Sequence, residues 1–418
     1  MAASLLSHVV SDLCIGKPPA RMLPPSTPVA AALAALRTGD DPFVFVEADH
    51  EALHSRGKKT ATGCVVIKVS VADVLCYVCG DADSLSEPAA ALGRPVSALA
   101  AAVQAAGGGD HHGAAFRVDS HTSLLDAIDA LLSNDAQTLL VPLHARAARS
   151  RKHHHVQVSG CSPANLAAPA ADYCVLTRED IVRHLFSYSI SLFAPVAART
   201  VASLGLVRRD VHAVHADDDA LDAIPLLRRS IADGTAVAVV ADDDALVGEI
   251  CPGVLGSCDI ESASAAFAAL SAGDVMTYID CSLSPPEFLL RSIRAQLKGR
   301  GLDAMADLMD AADDAASSLP LSPSSSSSAS SDEDSPFGRA RRARRSSSGS
   351  FRWRSTEDVA ACHAGSSLVA VMAQALAHRV GYVWVVDEVS GALTGVVSFA
   401  DVLAVLREHL RAGETQMN

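Results

Sequence analysis

Aromatic residues make up only 4% of this 418-residue chain. A base-stacking surface for single-stranded nucleic acid is built from aromatics, so their scarcity disfavours one. The formal charge of −14 at pH 7 disfavours general binding through phosphate neutralisation. No apolar run approaches the ~20 residues that cross a bilayer. The stretch Met1 to Asp12 lacks the basic region of a secretory signal, so the cytosol or nucleus is the expected location. Catalytic motifs are missing as well. There is no Gly-x-x-x-x-Gly-Lys-[Ser/Thr], no Gly-x-Ser-x-Gly and no His-Glu-x-x-His. A regulator is expected rather than an enzyme.

The ten cysteines form no framework. Cys64, Cys174 and Cys362 fall inside apolar elements, which fits a reducing compartment where cysteine acts as a small apolar residue. Cys76-x-x-Cys79 has redox or metal spacing, but no second pair complements it, and helix packing is the better reading. His153, His154 and His155 lie side by side in a basic stretch and lack fixed ligand geometry. No metal site is expected.

What the chain does have is repetition. An apolar strand, a Ser-x-x-Asp or Thr-x-x-Asp step and an apolar helical run occur at Leu393–Leu403, with Ser398 and Asp401. The same order occurs at Val66–Leu75, with Ser70 and Asp73, and at Tyr173–Val182, with Thr177 and Asp180. A degenerate copy runs from Val247 to Leu255, with Cys251 and Val254 at the two polar places and Pro252 and Gly253 between them. Upstream of each lies a helix with apolar residues at helical spacing, then a short β-branched strand. Internal repeats of this kind decide the fold. The expected class is α/β with four repeats: about 11–80, 95–191, 196–272 and 273–411.

Two inserts interrupt the plan. A basic, His-rich stretch occupies about 144–171. A Ser- and Arg-rich stretch at about 317–355, inside the fourth repeat, cannot bury enough apolar area to offset ordering its backbone and is expected to be disordered. Within it Arg339–Arg345 precedes Ser346, Ser347 and Ser348. That order suits phosphorylation by a basophilic kinase, and it also suits nuclear import. The helical stretch from Pro286 to Ala316 is expected to extend the fourth repeat.

The Ser-x-x-Asp junction has two readings. It is a capping box, stabilising by ~1 kcal/mol with no ligand. It is also a helix start with a carboxylate able to accept two bonds from a ribose diol. With this junction recurring, the chain resembles the cystathionine-β-synthase (CBS) domain family, and more narrowly the plant proteins made only of four CBS repeats. The resemblance implies two tandem CBS pairs of β-α-β-β-α repeats. It implies regulation through AMP, ATP, S-adenosylmethionine or adenosine, or through scaffolding of a protein partner. The partner could be a regulated enzyme or, for a γ-like subunit, an AMP-activated-type kinase complex. The ligand-binding residues it implies are Asp180 with Thr177 and Arg178, Asp401 with Ser398, and Asp73 with Ser70. The third repeat departs from the pattern and is expected to be empty. Nucleotide-binding members often carry a basic residue before the second strand. Here Pro42, Leu140 and Tyr382 are assigned to those places, which argues against tight AMP or ATP binding.

Overall fold

The structure is a computed structural model. It describes residues 8–39, 41–47, 66–106, 113–143, 172–282, 284–317 and 359–417. The first insert lies wholly outside the described residues, and so does the second, with Ser346 to Ser348, apart from position 317.

A short helix α1 (Val10–Leu13) leads into the first repeat: β1 (Met22–Leu23), α2 (Val29–Thr38), β2 (Phe43–Glu47), β3 (Val66–Ser70) and α3 (Val71–Val78). Helices α4 (Ala82–Ser86), α5 (Pro88–Gly93) and α6 (Val96–Ala106) connect it to the second repeat: β4 (Ala114–Arg117), α7 (Leu124–Ser133), β5 (Thr138–Pro142), β6 (Tyr173–Thr177) and α8 (Arg178–Ser189). After α9 (Ala194–Ala197) comes the third repeat: β7 (Ala213–His215), α10 (Ala223–Asp233), β8 (Val237–Val240), β9 (Leu246–Ile250) and the short α11 (Pro252–Leu255). Helices α12 (Ile260–Phe267), α13 (Ala272–Asp280), α14 (Glu287–Arg300) and α15 (Asp303–Ser317) follow. The fourth repeat closes the chain: β10 (Ala361–Cys362), α16 (Leu368–His378), β11 (Tyr382–Val386), β12 (Leu393–Ser398) and α17 (Phe399–Met417).

In each repeat the first and second strands run parallel and the second and third antiparallel. The helix between the first two strands buries one stripe. In α2 it is Val29, Ala32, Leu33 and Leu36; in α7 Leu124, Ala127, Ile128 and Leu131; in α16 Leu368, Val371, Met372 and Ala375. That is the i, i+3, i+4, i+7 spacing of one helix face. Ser123 and Ser367 cap α7 and α16 by accepting from the N–H groups of Asp126 and Ala370.

The repeats form a ring. The sheet faces of repeats 1 and 2 enclose Phe45, Val66, Ala115, Leu140 and Val175, and those of repeats 3 and 4 enclose Leu246, Tyr382, Trp384 and Val396. Helices of repeats 1 and 3 share one large core, and helices of repeats 2 and 4 share another. The order around the ring is therefore 1, 2, 4, 3. Between pairs, Arg407 makes a two-pronged bond to Asp129 (2.9 and 2.6 Å) across the 2–4 seam. Arg37 pairs with Asp259 at 2.7 Å and with Glu261 across the 1–3 seam.

The segment leading into each repeat crosses to the other repeat of its pair. Val9 bridges Ser123, Pro28 bridges Pro95, Thr200 bridges Ser367 and Asp219 bridges Ser271. The stretch Gly273–Thr277, where the fourth repeat was expected to open, is such a leading segment and sits on repeat 3. One expectation is corrected. The α14–α15 hairpin does not extend repeat 4, because its apolar residues Leu289, Ile293, Leu297, Met305 and Met309 are buried in the shared core of repeats 1 and 3. Among the described residues no helix is long and apolar enough to cross a membrane.

Candidate functional site

The three intact junctions have one geometry. The N–H and the hydroxyl of Ser70 both donate to Asp73 Oδ2 (2.8 and 2.6 Å). Those of Thr177 donate to Asp180 Oδ2 (2.7 and 2.8 Å), and those of Ser398 to Asp401 Oδ2 (2.8 and 2.6 Å). Each hydroxyl accepts in return from the Asp N–H, at 3.2 to 3.4 Å. The capping box is thus complete at all three. At Cys251 there is no side-chain cap, and Pro252 opens a helix of one turn.

Their surroundings differ. Asp73 is 6% exposed, and the space beside it, bounded by Cys76, Tyr77 and Arg228, measures about 10 Å³. That admits a water and nothing larger. Arg228 closes it by donating to the Cys76 carbonyl at 2.5 Å. Of the residues expected to hold ligand, Asp73 therefore faces a space too small for a ribose. The Asp180 and Asp401 side chains keep 23% and 21% of their surface. Each has gained a cation that the repeat motif does not contain: Lys17 Nζ lies 2.5 Å from Asp180 Oδ2, and Arg208 Nε lies 3.3 Å from Asp401 Oδ2. Lys17 and Arg208 both come from the segment leading into their pair, eight residues after the bridging residues Val9 and Thr200. Sequence reasoning missed both. The available signal was this equal spacing, which appears only when the leading segments are aligned with each other.

Arg178 does not face the Asp180 carboxylate group. It points to the centre of the ring, where a cavity of about 190 Å³ is lined from all four repeats. Its walls include Lys68, Gln137, Thr138, Arg178, Gly234 and Ser398. The Arg178 guanidinium bonds Asp135 at 2.9 Å, while its buried Nε and the buried Thr138 hydroxyl have no partner among the described residues. Burial pushes the Lys68 ammonium below its ordinary range, Asp73 opposes this, and Arg178 adds to it. Lys68 donates to Gln137 Oε1 at 3.3 Å. The basic-position assignment is also corrected. Strand β5 starts at Thr138, so Leu140 is mid-strand and fully buried. Gln137 and Gly381 precede the second strands, and their carbonyls accept from the N–H groups of Arg178 and Phe399. Positive charge reaches the centre from β3 and from the start of α8 instead.

Cys76 lies on α3 and Cys79 caps its C-terminal end, both buried. Burial pushes the Cys79 thiol up to about 12, and its sulfur donates to the Ser264 carbonyl.

Residues 354–408 match the CBS domain family. Over 418 aligned residues the chain is 37% identical to the CBS domain-containing protein CBSX5 of Arabidopsis thaliana, covering 98% of this chain and 99% of that one. The chain belongs to the CBS domain-containing proteins. This CBS-domain chain is also 26% identical to CBSX6 of the same plant over 69% of each. Among solved structures it is similar in fold to a protein of Methanocaldococcus jannaschii described as an archaeal homolog of γ-AMPK. That match has a TM-score of 0.50 and 12% identity, and it covers 96% of this chain and all of that one.

Proposed function

We propose that this chain is a non-catalytic sensor that binds an adenosyl ligand at one junction in each pair and passes the change to a protein partner. The observation that carries the reading is the split among junctions. The side chains of Asp180 and Asp401 keep about a fifth of their surface exposed, whereas Asp73 is closed and the third junction, with Val254, has no carboxylate. A ribose diol would bond the free carboxylate oxygen or take over from Lys17 and Arg208. Lys68 and Arg178 give an anionic tail a destination in the central cavity. The response would be differential binding: a ligand stabilises one arrangement of the ring, and the partner reads it. The partner class is a regulated enzyme or a kinase complex in which this chain is a γ-like subunit.

Isothermal titration of the full chain with AMP, ADP, ATP, S-adenosylmethionine and adenosine tests this. The expected result is two sites per chain for one ligand, with one site lost in Asp180→Ala and the other in Asp401→Ala. Each variant also loses a cap, costing ~1 kcal/mol, so folding is checked by circular dichroism. A second reading rests on the Asp180 and Asp401 Oδ2 atoms already being taken by two capping donors and a cation. On that reading the chain is a ligand-free scaffold, and no ligand of the panel binds.

A further inference from the structure

The leading segment of the first pair carries a chemical feature that the second pair lacks. Cys14 ends α1 and Cys174 lies on β6, three residues before Thr177. They are 7% and 0% exposed and lie in the same buried cluster. Backbone contacts fix the juxtaposition. Pro19 bridges Cys174, the Ala20 N–H donates to the Tyr173 carbonyl at 2.6 Å, and Lys17 Nζ donates to the Val175 carbonyl at 3.0 Å. The same Lys17 is the counter-charge of Asp180. In the second pair the matching places are glycines: Gly205, five residues after Thr200 as Cys14 is after Val9, and Gly395, three residues before Ser398.

We propose that Cys14 and Cys174 form a reversible dithiol–disulfide couple that staples the leading segment to repeat 2 and holds Lys17 against Asp180. The oxidant class is a low-molecular-weight disulfide such as oxidised glutathione. The Cys14 thiolate attacks one sulfur of it and releases one glutathione thiolate. The Cys174 thiol gives its proton to solvent and attacks the Cys14 sulfur of the mixed disulfide, expelling the second glutathione. Two protein thiols and one glutathione disulfide become one protein disulfide and two glutathiones. Thiolate character decides which sulfur attacks first. The neighbouring Cys174 lowers the Cys14 thiol against the effect of burial, and Lys17 adds to the lowering. Burial instead raises the thiols of Cys76, Cys79, Cys251, Cys258 and Cys362. Access comes from opening of α1, a single turn of four residues followed by the 82% exposed Ile15.

The effect on ligand rests on the sensor reading above. Oxidation keeps Lys17 on Asp180, so affinity at that junction should fall severalfold while affinity at Asp401 stays unchanged. The test equilibrates the full-length chain in glutathione redox buffers, alkylates free thiols and maps disulfides by mass spectrometry. The expected result is one Cys14–Cys174 disulfide per chain, absent in Cys14→Ser and in Cys174→Ala, with a rise in Tm on oxidation in the parent chain only. The proposal is overturned if both thiols remain alkylatable in excess oxidised glutathione, if only glutathione adducts form, or if disulfides map to other cysteines. The disulfide forming in a chain that binds no ligand would leave the staple standing and remove the sensor reading. Ligand bound equally by the oxidised and reduced chains would leave both standing and remove only the coupling between them.

Discussion

In the first pair, β3 and β4 join two repeats into one six-stranded sheet through the partners Val66–Ala115 and Ile67–Ala114. In the second pair the two sheets stay separate, each three-stranded. Polar bonds replace the missing ladder: Glu249 Oε2 accepts from the Tyr382 hydroxyl at 2.8 Å and from Trp384 Nε1 at 2.7 Å. Glu249 stands two residues before its junction residue Cys251, as Lys68 stands two before Ser70. Tyr382 starts its strand as Thr138 does. One pair thus places an ammonium and a hydroxyl with no partner among the described residues at these positions, and the other places a carboxylate beside two aromatic donors. A single change of charge sign at one register position separates a pair with an ammonium beside the central cavity from a pair closed on itself by a carboxylate.

The sharpest way to break that contrast is Glu249→Leu. Tyr382 and Trp384 are buried, and each would lose this acceptor, at a cost of about 1–3 kcal/mol per stranded donor. A loss of roughly 2–5 kcal/mol in urea unfolding is expected, with a smaller one for Glu249→Gln, which keeps an oxygen. A finding that Glu249→Leu is neutral would mean that the second pair's sheets are held by apolar contact alone.

The next effect comes from Gly395, the counterpart of Cys174. A β-carbon there would lie 2.5 Å from the Arg208 carbonyl and 2.6 Å from Val207 Cγ1. Gly395→Ala must push the leading segment away, with a cost of about 1–3 kcal/mol and a loosened Arg208–Asp401 pair. Cys174→Ala, which only removes a sulfur, should be milder. Equal losses would deny that the second pair's leading segment sits closer to its strand.

The smallest effect concerns the seam that ties the two pairs together. Hydrogen bonding from Arg407 holds the Asp129 carboxyl below its ordinary range. A lowered folded-state value adds stability above the ordinary 3.8, and that stability is lost as pH falls through the folded value. Asp129→Asn should cost roughly 1 kcal/mol at pH 7 and should flatten the stability profile below about pH 4. An unchanged acid limb in unfolding experiments would show that the seam is held by its apolar core alone.

Much of the fold was legible because its signals are local. The stripe of Leu124, Ala127, Ile128 and Leu131, the β-branched strands and the Ser-x-x-Asp steps each lie within a dozen residues. The damaged third junction was legible too, since Pro252 and Val254 cannot make the cap. What escaped was set by contacts far apart in the chain. The Lys17–Asp180 pair spans 163 positions, and no local pattern announces it. The central cavity draws Lys68, Thr138, Gly234 and Ser398 together only once the ring order is known. The docking of the α14–α15 hairpin went unread for the same reason: its apolar face was evident, but the surface it covers belongs to repeats 1 and 3.

The crossed leading segments have a consequence for synthesis on the ribosome. Val9 emerges early, yet its partner Ser123 is made 114 residues later. At about 5–20 residues per second the wait is on the order of ten seconds. During that time the nascent first repeat shows an uncovered helical face, and its core with repeat 3 cannot close until residue 267 and beyond have appeared. The chain therefore commits to its ring late.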